Sequence, residues 1–177
     1  MAAKLAGKRG AKVQSRKSDA AMESVNGVLE GYAQRGVFRT FSRGPSRNGK
    51  TTFRMMWHRD RLFELVVDVR SGTLRFPLVL PGVQAASPMY REFKLFIQSR
   101  QSDEVPPHRR IDTRKARVRS LNRGGNVSLT LTTEDDDYEY AARKLVHLVH
   151  EIFMVFLIDG PYYEYMVETF DLDPDRV

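Results

Sequence analysis

The chain has no cysteine, and that single absence removes a disulfide scaffold, thiolate metal sites and a cysteine nucleophile together. It also has no apolar run of membrane-spanning length. The longest, Leu145 to Ile158, is interrupted by His147, His150 and Glu151 and falls short of the roughly 20 residues that a bilayer requires. The basic N-terminus has no apolar block behind it, so a secretory signal is missing too; the expectation is a cytoplasmic protein without a membrane span. Catalytic signatures are equally scarce. There is no GxSxG element, and four scattered histidines define no triad by spacing. Asp171-Leu172-Asp173-Pro174-Asp175 lacks the glycine and the distal glutamate of a calcium loop, and it reads as an acidic C-terminal tail over 171–177. No cofactor and no catalytic set is implied, and a non-enzymatic chain is expected.

What is present is a strongly patterned stretch, Asp136 to Phe170. Tyr138, Ala142, Leu145, Val149, Ile152, Phe153 and Phe156 recur at the three-and-four spacing of one helical face, with Arg143, Lys144, His147, His150 and Glu151 on the other. Asp136, with Glu139 three residues on, marks the start, Asp159-Gly160-Pro161 marks the end, and Pro161 can open a second helix with Tyr162, Tyr163, Met166, Val167 and Phe170. His147, His150 and Glu151 share one turn, which brings a metal site to mind, but their order is neither HExxH nor HxxEH and no third distant ligand is evident. They read as the polar face of a core helix, and no metal is expected.

The 177 residues, 41% of them hydrophobic, suit one domain with a sizeable core. The net charge of +7 is concentrated at one end: Lys4, Lys8, Arg9, Lys12, Arg16 and Lys17 precede the first acid, Asp19, leaving about +1 for the remainder. Residues 1–18 therefore read as a basic disordered tail, either solubilising or able to contact a polyanion. Ser18 or Asp19 can cap a first helix with a Met22, Val25, Leu29, Tyr32 stripe and Gly36 at its C-terminus. Gly27 and Gly31 weaken it by roughly 1 kcal/mol each, so it depends on docking to the body.

Gly44 to Thr51 matches the phosphate-loop pattern GxxxxGK[ST], in which Lys50 would reach phosphates and Thr51 a magnesium ion. A working loop needs a helix directly after it. Here Phe53, Met55 and Trp57 alternate with Arg54, Met56 and His58, a strand pattern, and Asn48-Gly49 is a tight-turn signal, so a hairpin joining Val37–Ser42 to Thr52–Trp57 is the expectation and nucleotide binding the lesser alternative. Phe63 to Val69 and Leu74 to Leu80 continue an antiparallel meander around Arg70-Ser71-Gly72. Pro77 cannot donate to a ladder, so that strand should lie at an edge or donate outward there, and Leu74, Phe76 and Leu78 make a candidate docking edge. Ser87-Pro88 opens a second helix carrying Met89, Phe93, Phe96 and Ile97. A second basic cluster follows, including Arg109, Arg110, Arg114, Lys115, Arg117 and Arg119; it reads as a solvated strand face paired with the acids of Glu134 to Glu139, with nucleic-acid contact as the alternative, weakened by the lack of aromatic residues for stacking. Val118–Asn122 and Val127–Thr132 around Arg123-Gly124-Gly125-Asn126 form a hairpin.

The order is helix, meander, helix, hairpin, long helix, which means α+β, with one domain over 19–170. This order and the element lengths resemble the type III secretion chaperone-like family and the related sensory-transduction-regulator (YbjN-like) proteins of bacteria. The resemblance implies a non-catalytic protein-binding domain, often dimeric, an adaptor or chaperone-like module. Its candidate contact residues are Leu74, Phe76 and Leu78 together with Tyr162, Tyr163 and Phe170. Because Val146, Val155 and Leu157 lie off the main stripe of the long helix, a sheet alone cannot cover it. The first helix is expected to complete the cover, a homodimer being the alternative.

Overall fold

Alternation decides the sheet. A computed structural model describes residues 2–171, with side chains described from residue 16. Its elements are α1 (Ala2–Gln34), β1 (Thr40–Arg43), β2 (Lys50–Trp57), β3 (Arg61–Asp68), β4 (Thr73–Leu80), α2 (Pro88–Ser99), β5 (Ala116–Arg123), β6 (Asn126–Thr133), α3 (Tyr138–Glu151), a π-helical turn (Ile152–Ile158) and α4 (Tyr163–Phe170). The strands form one six-stranded antiparallel sheet in the order β1-β2-β3-β4-β6-β5. The class is α+β. Phe53, Met55, Trp57, Phe63, Leu65, Val67, Leu74, Phe76, Ala116, Val118, Leu129 and Leu131 are all buried, and their two-residue spacing puts them on one face of the pleat. The helices cover that face.

The turns follow the sequence chemistry closely. Asn48 and Gly49 have φ of 52° and 76°, and Gly124 and Gly125 have 57° and 86°, the paired positive values that two-residue hairpins need to match strand twist. Gly36 ends α1 with φ 75°: its N–H donates to the Ala33 carbonyl and that of Val37 to Tyr32, both at 3.0 Å, a Schellman closure of the last turn. Ser87 caps α2 by accepting from the Tyr90 N–H at 3.2 Å, with Pro88 next. Two boundaries differ from expectation. The cap of α3 is Asp137, which accepts from the Tyr140 N–H at 3.0 Å, while Asp136 is left-handed at φ 59°; Glu139 instead pairs with Arg143 along the helix. And α1 starts at Ala2, far ahead of Ser18, because alanine, lysine and arginine propagate a helix easily once its docked half has nucleated it.

The placement of β4 corrects the reading of Pro77. β4 lies inside the sheet between β3 and β6. The missing N–H is absorbed by local irregularity: pairing with β3 is confined to Thr73–Arg75, and the register with β6 shifts between Phe76 and Leu80. A bulge therefore does what an edge position would otherwise have to do. The true edges are β1 and β5, and β5 is closed by a side chain. Gln101 accepts from the Val118 N–H at 3.1 Å and donates to the Val118 carbonyl at 3.2 Å, imitating a partner strand for one residue.

The layer over the buried face is built on α3 and the π turn. Leu145, Val149, Ile152, Phe153 and Leu157 are fully enclosed, and Val146, off the main stripe, is only 2% exposed. α1 packs along α3 and contributes Met22, Val25, Val28 and Leu29, so the cover comes from the same chain. The expected single long helix changes its winding after Glu151. Asp159 N–H bonds to the Met154 carbonyl at 2.9 Å, a five-residue step, and the wider turn ends at Gly160, where a Cβ would stand 2.2 Å from the Phe156 carbonyl oxygen. Only glycine fits. No helix among the described residues is long and apolar enough to cross a membrane.

Deleting residues 1–36 strips α3 of its outer cover. The expected outcome is an insoluble or associating protein in light scattering; a soluble, folded monomer would show that α1 is not the cover.

Candidate functional site

Among the described residues, no helix covers the second face of the sheet. Its residues, the alternate set to the core, are exposed or half-buried with one exception, Ser128, which is 4% exposed. The strand register arranges them in rows. One row runs Thr52, Val66, Arg75, Thr130, Arg119 across β2, β3, β4, β6 and β5; the next, toward one end, runs Lys50, Asp68, Thr73, Thr132, Arg117. Toward the opposite end lie Arg54 and Glu64, paired at 2.8 Å, and then Met56 opposite Leu62. The face thus has two characters. One end is more apolar, with Met56 half-buried, Leu62 59% exposed and Leu121 47% exposed, and Leu78, 45% exposed, on the rim, although exposed Arg123 closes that end on β5. The other end is polar and basic.

Charge pairing sharpens the contrast. Lys50 meets Asp68 at 3.2 Å and Arg117 meets Glu134 at 3.2 Å, which neutralises them locally. Arg75 and Arg119 have no carboxylate partner among the described residues. They flank Thr130 on adjacent strands, so their backbones are about 10 Å apart. With Arg123 beyond Leu121, also without a carboxylate partner among the described residues, these guanidiniums beside an apolar strip make a surface suited to an acidic, partly apolar partner. No Phe, Tyr or Trp lies among the residues of these rows, so base stacking has no platform there.

The residues singled out from sequence fall into different places. Leu74 and Phe76 are fully buried core residues and cannot be a contact surface; the even alternation around Pro77 gave no hint that β4 would be enclosed on both sides. Leu78 is pushed out by the irregularity in β4. Phe170 is 3% exposed and lines a small cleft with Arg61, Leu62 and Leu78, under the Arg61 guanidinium at 4.3 Å. The structure therefore brings Leu78 and Phe170 to one place, through Leu62, which sequence reasoning missed; its position opposite Met56 is the signal that pairing alone reveals. Tyr162 is half-buried against Phe156 and donates to Glu92, and Tyr163 is 37% exposed. Lys8, Arg9 and Lys12 lie in the backbone-described half of α1, outside the described side chains, and residues 172–177 lie outside the described residues. Arg16 and Lys17 are exposed.

The second basic cluster is mostly compensated. Arg110 pairs with Asp103, Arg114 with Asp112, Lys115 with Asp137 and Arg117 with Glu134. The hydrogen bond from Arg114 holds the Asp112 carboxyl well below its usual range. Arg109 reaches Glu151, whose carboxylate is 6% exposed and also stands 2.9 Å from Nε of Arg100, 11% exposed. At Arg100 the N–H is not aimed at the oxygen, so that contact is charge pairing more than a hydrogen bond; the guanidinium also covers Phe96 at 4.3 Å. The Glu151 site ties the end of α2 and the 106–112 loop to the start of the π turn. With Glu151 so engaged and His150 turned toward His58, the His147, His150, Glu151 trio does not converge.

The phosphate-loop match is a hairpin: Arg47 and Lys50 bond each other's backbone, β2 follows directly, and Thr51 is 2% exposed. At the far end of β2, His58, Arg59 and Asp60 are all left-handed, with φ of 42°, 67° and 59°, a conformation costing roughly 1–2 kcal/mol per residue. His58 offsets this by stacking on Phe153 at 3.9 Å and Trp57 at 4.3 Å. Burial, then the neighbouring His150, lowers its pKa from 6.5 to about 3.

No protein-family model, curated protein or solved structure matches this chain.

Two outcomes follow from these contacts. Glu151→Leu leaves Arg100 buried without a counter-charge and should lower unfolding stability by about 3 kcal/mol or more, whereas Glu151→Leu with Arg100→Met should recover most of it; urea titration of both decides, and equal losses would show that the charges are not coupled. For His58, the unfolded chain takes up a proton as pH falls from 6.5 toward 3 while the folded chain does not, so stability falls through that window. His58→Asn keeps a residue tolerant of left-handed φ and should show a shallower fall in urea midpoint over the same range; parallel curves would rule out the assignment.

Proposed function

We propose that this domain is a protein-binding module, an adaptor or chaperone-like domain working in the bacterial cytoplasm, and that its partner docks on the bare face of the sheet. The observation that carries this reading is the composition of that face: exposed Leu62 and Leu121 with half-buried Met56, beside Arg75, Arg119 and Arg123, which have no carboxylate partners among the described residues. Scattered exposed leucines need no explanation, but leucines gathered on one uncovered sheet face beside uncompensated charge mark a contact surface. The reading agrees with the chaperone-like resemblance in element order. Nucleic-acid association is supported less, since most of the 109–119 cations are paired internally and the face has no stacking residues.

Photo-crosslinking tests it. A photoreactive residue at Leu62 or at Leu121 should trap the same protein, and the Leu62→Ser variant should lose that protein while keeping its melting temperature. Leu95 on α2, 60% exposed, is the control position. Capture from Leu95 with none from Leu62 and Leu121 would move the docking site off the sheet and sink the proposal.

A further inference from the structure

Resting on that reading, we infer that the partner is recognised through a phosphate monoester, seated over Thr130 between the guanidiniums of Arg75 and Arg119. The register makes the seat. Arg75 and Arg119 stand on the strands either side of β6, each directly opposite Thr130 and on the same uncovered face. The Thr133 N–H bonds to the Gly72 carbonyl and the Glu134 N–H to the Lys115 carbonyl, and alternation from there fixes the two spacings. Arg75 and Thr130 form a pair without mutual hydrogen bonds, about 4.5 Å between Cα atoms, and Thr130 and Arg119 a hydrogen-bonded pair, about 5.5 Å. Each guanidinium sits on a stem of three methylenes, long enough to lean over the threonine from its own side. The threonine adds a hydroxyl between them.

Charge decides the class of ligand. The nearby carboxylates are already matched: Asp68 by Lys50, Glu64 by Arg54, and Glu134, just past β6, by Arg117. What remains around Thr130 is two positive charges that no carboxylate among the described residues balances. A carboxylate on the partner carries one negative charge and offsets one guanidinium. A phosphate monoester carries about −1.5 to −2 at neutral pH, and its three terminal oxygens can accept from both planar forks and a hydroxyl at once. Both positions are arginine, whose rigid fork matches phosphate oxygens in a way that the point charge of lysine does not.

The contact that adds affinity is close by. Leu121 is two residues from Arg119 on the same face of β5, about 7 Å along the strand, so an apolar side chain near the phosphorylated residue meets it. Recognition then depends on the modification, because the unphosphorylated partner brings only a neutral hydroxyl to two unpaired guanidiniums.

Phenyl phosphate and phenylacetate, titrated separately into the full chain at low salt and followed by amide NMR, test this while the partner is unidentified. Phenyl phosphate should shift the Thr130 amide saturably, and phenylacetate should bind about tenfold or more weakly. Arg75→Gln and Arg119→Gln should each weaken phenyl phosphate about tenfold or more, whereas Arg91→Gln, which removes an exposed arginine from α2 on the other side of the sheet, should leave it unchanged. All three arginines are exposed, and melting temperatures verify that the variants fold. An equal loss in Arg91→Gln would show general attraction to a basic protein and overturn the seat. Phenylacetate binding as tightly would reassign the seat to a carboxylate, and no saturable shift at Thr130 would remove it. None of these results touches the docking reading, which stands or falls with the crosslinks from Leu62 and Leu121; phosphate binding at Thr130 without those crosslinks would keep the seat and remove the docking face.

Discussion

The need to enclose α3 and the π turn on several sides governs the rest of this structure. A helix with one apolar stripe can rest on a sheet and face water with its back. This one has Val146 and Leu157 off the stripe, both buried, so a sheet alone leaves apolar area wet at about 25 cal/mol per Å². The chain answers with a third layer, α1, and the consequence is asymmetry. Among the described residues the helices gather on one side of the sheet and none covers the other, and the bare face is what that arrangement leaves over.

The transition from α to π winding shows the same constraint at closer range. Widening the turn after Glu151 moves Phe153 under His58 and Phe156 against Phe93 and Phe96, so aromatic rings from three elements meet around one segment. The left-handed His58-Arg59-Asp60 turn is held from the same place. Backbone strain in the turn, the buried neutral imidazole and the nonstandard winding of the helix are parts of a single packing solution. Glu151 stands at its entrance, with Arg100 and Arg109 fixing where the winding changes.

Much of the fold was legible in the sequence because the relevant signals are local. Hairpin turns follow from Asn48-Gly49 and Gly124-Gly125, the α2 start from Ser87-Pro88, the α1 end from Gly36, and the core face from strict alternation. What was not legible is non-local. Pro77 argued for an edge from the chemistry of one missing N–H, yet strand order depends on which strand β6 pairs with, and a bulge reconciles the proline with an interior position. The same error placed Leu74 and Phe76 on a surface. The docking candidate itself became visible only through register: Arg75 and Arg119 are 44 positions apart in sequence and meet across Thr130, and although Arg119 stood out as one of a basic cluster, nothing local linked it to Arg75. Pairing likewise dissolved the apparent strength of the 109–119 cluster, whose acids come from separate segments of the chain.

Gln101 has a consequence for how this protein behaves in a crowd. An open sheet with two free edges can add copies at both, and such growth has no natural end. With the Val118 backbone engaged by a side-chain amide, an added strand would find the middle of the β5 edge already filled. Pairing along β5 would first have to displace the Gln101 amide, which makes the short β1 strand the easier edge to extend.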